Sequence, residues 1–86
     1  MFAVEWTDYA LDLLADVFVS LDLAAQDQLT AAIEALNRRL ATDPLDEGES
    51  RNAPFRLTFV GSLGVIYRVD ATHGVVQVTE VKWYGA

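Results

Sequence analysis

RLTFVGSLGVIYRV, residues Arg56 to Val69, carries two runs of alternating apolar and polar residues on either side of Gly61-Ser62. That pattern predicts a β-hairpin with its turn at the glycine. A second glycine, Gly64, stands three residues before Tyr67, early in the second strand. Glycine weakens a strand interior. Its presence there implies that the backbone bends, that another group approaches closely, or that a side chain has been given up.

Outward from the hairpin, the chain divides into a helical first half and a β second half. Phe2, Val4 and Trp6 alternate with Ala3, Glu5 and Thr7, which predicts a half-buried opening strand. Thr7 or Asp8 is placed to cap a helix whose apolar face runs through Leu11, Leu14, Ala15, Phe18 and Leu21. A second helix starts near Asp22, with an apolar stripe of Leu29, Ala32, Ile33, Leu36 and Leu40. The two form an αα-hairpin. Arg38 and Arg39 meet the negative end of the second helix, and Pro44 stops it.

Residues 42–54, TDPLDEGESRNAP, read as an exposed loop. Beyond the hairpin, the turn Ala71-Thr72-His73-Gly74 leads into a last run, Val75 to Tyr84. Val76 and Val78 suit one inward parity there and Val81 and Trp83 the other, so a bulge or burial on both sides is expected. The order βααβββ predicts an α+β fold, with an antiparallel sheet covered on one face by the helical hairpin. At 86 residues the chain is expected to form a single domain over positions 1–86.

Composition narrows the function. Cysteine is absent, which excludes disulfides and thiolate metal sites. No apolar run is long enough to cross a bilayer as a helix, and the opening MFAVEWTDYA has an early acid where a secretory leader has basic residues; a cytoplasmic location is expected. Thirteen Asp and Glu against six Lys and Arg give a net charge of -7, a field that opposes direct nucleic-acid binding. Asp43, Asp46, Glu47 and Glu49 crowd the loop, but without the spacing of an EF-hand, and His73, the only histidine, falls in a turn; neither a metal nor a cofactor is expected.

The ordered set of elements resembles the RelE/ParE superfamily of toxins from type II toxin–antitoxin systems. Arg56, Gly61, Val65, Ile66, Tyr67, Arg68 and Val69 carry the resemblance, with the valines at 75, 76, 78 and 81 behind them. It implies a toxin neutralised by a wrapping antitoxin, a role in plasmid stabilisation, and a target that is either ribosome-bound mRNA or DNA gyrase. It also implies that Gly64 stands where ribosome-dependent nucleases of the family have a phosphate-binding arginine, and Leu63 where they have an aromatic residue. The lysines usual on the preceding strand have no counterpart.

Cleavage of RNA through its 2′-hydroxyl needs a base, an acid and a cation facing the developing charge. The candidates that remain are Arg56, Arg68, Lys82 and Tyr84, and a simple hairpin register would set the three cations on one face. The arginine missing at position 64 favours the gyrase-type target or a weakened activity, so the chain is read as leaning away from an enzyme. Asp8, Asp12 and Asp16 line one side of the first helix, and Trp6 and Trp83 end the first and last strands; these are the candidate partner-binding residues. The matching antitoxin tail is expected to be rich in Lys and Arg. The alternative is a non-toxic interaction module or homodimer built on the same fold.

Overall fold

The structure is a computed structural model that describes residues 1–85. Its elements are β1 (Ala3–Trp6), α1 (Asp8–Val19), α2 (Leu23–Thr42), β2 (Glu49–Ser50), β3 (Phe55–Val60), β4 (Leu63–Asp70) and β5 (Val75–Trp83). Both helices start at side chains suited to capping: the Thr7 hydroxyl accepts from the Ala10 N–H, and the Asp22 carboxylate accepts from the Ala25 N–H. Asp43 closes α2, and Pro44 follows.

The five strands form one sheet in the order β1-β5-β4-β3-β2. The hairpins β3–β4 and β4–β5 are antiparallel, as their short turns require. The sheet is nevertheless mixed, which corrects the antiparallel expectation: β1 runs parallel to β5, with Ala3 beside Val75 and Trp6 beside Val78. A strand joined to the rest through two helices is free of the constraint that a tight turn imposes. β2 was also not expected. It pairs Glu49 with Leu57 and Ser50 with Arg56, inside the stretch read as an open loop, and Pro44 in that stretch is fully buried.

Cross-strand pairing sorts the side chains onto two faces. On the helix-covered face, Tyr67 lies opposite Arg56, Val65 opposite Thr58 and Leu63 opposite Val60. β5 contributes Val76, Val78 and Val81 to the same face because its register slips between Ile66 and Tyr67, which leaves Thr79 as the extra residue. The bulge expected from the two parities is therefore present, and it turns both valine sets inward. Tyr67, Leu63, Val65, Val76 and Val78 are completely buried against Leu29, Leu36 and Leu40 of α2.

α1 lies beside β5 and adds Ala10, Leu13, Leu14, Val17 and Phe18 to the core, and Leu21 joins them from the turn that follows. Its inward face is rotated from the one predicted. Leu11 is 47% exposed and Ala15 is exposed, because the helix is apolar around most of its girth and the sheet selects the side holding Ala10.

Candidate functional site

The opposite face of the sheet carries Phe55, Leu57 and Phe59 of β3, Gly64, Ile66 and Arg68 of β4, and Glu80 and Lys82 of β5. The helices do not cover it. Phe55 and Phe59 are 37% and 53% exposed, and Ile66 and Leu57 are half-buried.

At its centre, Gly64 lies directly across from Lys82. A hydrogen bond from the Tyr84 N–H to the Ser62 carbonyl, 2.8 Å long, holds the residue after β5 beside the hairpin turn. The Tyr84 ring consequently lies over Gly64. A Cβ at position 64 would stand 2.8 Å from Tyr84 Cε2 and 3.4 Å from Phe59 Cε1. The Phe59 and Tyr84 rings meet at 5.7 Å in a tilted arrangement, and Lys82 Nζ sits 5.3 Å from the Tyr84 ring centroid. Of the three reasons for a glycine here, close approach is the one observed. The spot is roofed by a phenol ring.

The four candidate catalytic residues are not brought together. Lys82 and Tyr84 meet beside Gly64. Arg68 shares their face, but it is four residues from Gly64 along β4, about 13 Å at the usual rise per residue. Its Nε donates to Gln77 Oε1 at 2.9 Å.

Arg56 is on the other face, paired with Tyr67, so the expected patch of three cations does not form. Its guanidinium donates to the carbonyls of Leu45 (2.8 Å) and Gly48 (3.1 Å) and reaches the Tyr67 hydroxyl at 3.4 Å. The reason is parity. Thr58 and Val60 are the buried residues of β3, and Arg56 shares their side at the end where the 44–48 segment folds back over it.

That segment is tied down by charge and hydrogen bonding. The Tyr67 hydroxyl contacts the carbonyls of Pro44 and Glu47. Glu47 accepts from the Thr58 hydroxyl at 2.6 Å and from Arg39 Nε at 2.9 Å. Burial alone would raise the Glu47 carboxyl, but those two hydrogen bonds and the Arg39 charge outweigh it and hold it below its ordinary value. Burial pushes the Tyr67 hydroxyl up, against the partial opposition of Arg56. Glu47 is thus a structural residue of the loop. Among the described residues, no group of three or more His, Asp or Glu gathers as metal ligands would.

The candidate partner-binding residues divide in two. Asp8, Asp12 and Asp16 are exposed along α1, and none forms a salt bridge among the described residues. Trp6 and Trp83 pack against the core with only part of each ring at the surface, and the Trp6 indole donates to Asn37 Oδ1 at 2.9 Å. Sequence reasoning missed the exposed aromatic residues Phe55 and Phe59. The signal was present in the parity they share with Gly64 and oppose to Tyr67.

No family model and no curated protein matches this sequence. Solved structures do match it over essentially its whole length. The chain superimposes on a chain of the chromosomal ParDE toxin–antitoxin system of P. aeruginosa with a TM-score of 0.77, at 15% identity, covering 99% of this chain and 98% of that one. For the RelBE2 toxin–antitoxin complex of Mycobacterium tuberculosis the TM-score is 0.70 at 21% identity, covering 95% and 96%. For the intact RelBE complex of E. coli it is 0.65 at 17% identity, covering 100% of both. Element order, the parallel closing strand, the helical hairpin and these superpositions lead to one statement: this chain has the RelE/ParE-like toxin fold.

Proposed function

We propose that the protein is a RelE/ParE-like toxin, neutralised by a wrapping antitoxin, in which ribosome-dependent mRNA cleavage has been lost or weakened. The observation that carries this reading is the centre of the uncovered face. A glycine and two aromatic rings occupy the place where phosphoryl chemistry needs a fixed cation, and Arg68, on the same face, springs from the backbone about 13 Å farther along β4. Lys82 and Tyr84 offer one cation and one phenol there, and the carboxylate of that face, Glu80, stands one strand repeat away opposite Ile66.

The net charge of -7 also disfavours an RNA groove and favours a protein target such as DNA gyrase. The unpaired carboxylates of Asp8, Asp12 and Asp16 suit an antitoxin tail rich in Lys and Arg. Coupled folding of a disordered tail along α1 would supply the counter-charge that the chain itself lacks.

The decisive experiment induces the chain alone and then together with the product of the neighbouring gene. Growth arrest relieved by co-expression is the expected result. Mapped mRNA ends should show no ribosome-phased cuts, and a supercoiling assay should show gyrase inhibition. Cuts inside codons would reverse the choice of target. The second reading, a non-toxic module that self-associates, rests on the exposed Phe55, Phe59 and Tyr84. It predicts unhindered growth and a mass in solution that rises with concentration.

A further inference from the structure

Where the start of α1 approaches the bulged part of β5 and the far ends of β3 and β4, the surface forms a groove of about 460 Å³. Tyr9, Phe55 and Ile66 give it apolar walls, and Arg51, Arg68 and Glu80 supply the charges. The groove is separate from the Gly64–Tyr84 centre and shares no lining residue with it. Its volume falls within the range of about 300–1,000 Å³ typical of small-ligand and side-chain pockets.

Two features set its preference. Tyr9 is 60% exposed and Phe55 37% exposed, so large apolar surfaces face solvent on both sides of the groove. In a chain with only six Lys and Arg, two of them line this one groove, against a single carboxylate. Among the described residues neither arginine is in a salt bridge. The bond from Arg68 Nε to Gln77 fixes the guanidinium and leaves its two Nη groups free, the end that grips a carboxylate bidentately. At physiological ionic strength charges are attenuated over about 8 Å, so within the groove the two arginines outweigh the more distant carboxylates.

We infer that this groove receives an apolar side chain flanked by a carboxylate, presented by a partner peptide: the side chain packs on Phe55 and Tyr9 while the carboxylate pairs with Arg51 and Arg68. The inference rests on the partner-binding reading above and refines it. A tail that is basic along α1 should carry an acidic, apolar anchor where it meets the groove, because lysines there would face two arginines.

The test titrates the isotope-labelled full chain with acetyl-Leu-Glu-Leu-Glu-Leu-amide and, separately, with the same peptide carrying Lys in place of Glu, followed by backbone amide shifts. The acidic peptide is expected to move the amides of Phe55, Ile66, Arg68 and Thr79 and to bind at least tenfold more tightly than the basic one. The double variant Arg51→Gln/Arg68→Gln, folded by circular dichroism, should lose at least tenfold of that affinity. Equal binding of the two peptides, undiminished binding by the variant, shifts confined to another surface, or no shift would each overturn the assignment. Growth assays separate it from the toxin reading. Unhindered growth with the peptide bound here removes the toxin and keeps the groove, whereas relieved toxicity with no peptide binding does the reverse.

Discussion

The hydroxyl of Tyr67 has one proton, and it faces the carbonyls of Pro44 and Glu47 while the Arg56 guanidinium reaches its oxygen. Removing it takes the hydroxyl donor from the Pro44 carbonyl, while Arg56 still reaches that of Glu47, so Tyr67→Phe should destabilise the fold by about 1–3 kcal/mol in urea unfolding. Beside it, Glu47 titrates below its ordinary value, and a carboxyl with a depressed folded-state pKa stabilises above its unfolded value and loses that contribution as pH falls through the folded one. The protein should therefore lose stability as pH falls below the ordinary carboxylate range, and Glu47→Gln should flatten that loss in urea midpoints measured across it. At Gly64 the obstacle is the exposed ring of Tyr84, not backbone strain. Gly64→Ala should be destabilising in the native background, yet become stabilising by about 0.5–1 kcal/mol once Tyr84→Ala has cleared the space, a coupling that a double-mutant cycle in urea would read directly. The sequence shows that position 64 is special. It does not show the reason, because the covering ring arrives from a residue twenty positions later whose place depends on β5. Arg56 was illegible for a similar cause. An arginine early in a strand reads as exposed until the register reveals Tyr67 opposite it and carbonyls above it.

Among the elements, β5 was the most readable and α1 the least. Val76, Val78 and Val81 of β5 can all face the core only if one residue is looped out, and the slip at Thr79 does this. In α1 nearly every direction carries an apolar side chain. Periodicity alone could not choose between Leu11 and Leu13, and packing against β5 decided it. The direction of β1 was likewise hidden, since two helices separate it from its neighbours and no local turn sets its sense. The cap of α2 was legible from Asp22 alone, because its role depends only on residues one turn away. Asp22→Ala should cost about 1 kcal/mol, measured by thermal unfolding, with the sheet unchanged. Along α1, Asp8, Asp12 and Asp16 repel one another at helical spacing. Asp12→Asn/Asp16→Asn should leave stability level or raise it by a few tenths of a kcal/mol. The same double variant should weaken binding of a Lys/Arg-rich partner, which calorimetry against the co-expressed neighbour would show.

For the whole molecule, a net charge of -7 on 86 residues means that folding gathers like charges. Added salt screens that repulsion, so the thermal midpoint should rise between low and moderate sodium chloride, and a flat response would show the acids to be locally compensated. The same charge, readable from composition alone, said nothing about where the positive residues would gather. Arg51 and Arg68 come to one groove only through the pairing of β3 with β4. The pairing of β1 with β5 has a further consequence for how the protein is made. Ala3 precedes its partner Val75 by 72 residues, so the sheet cannot close until β5 has left the ribosome. A nascent chain of this topology stays without a finished surface until its last strand is free. Any surface that spans β1 and β5, and any grip a partner could take on the completed sheet, begin at the same late moment.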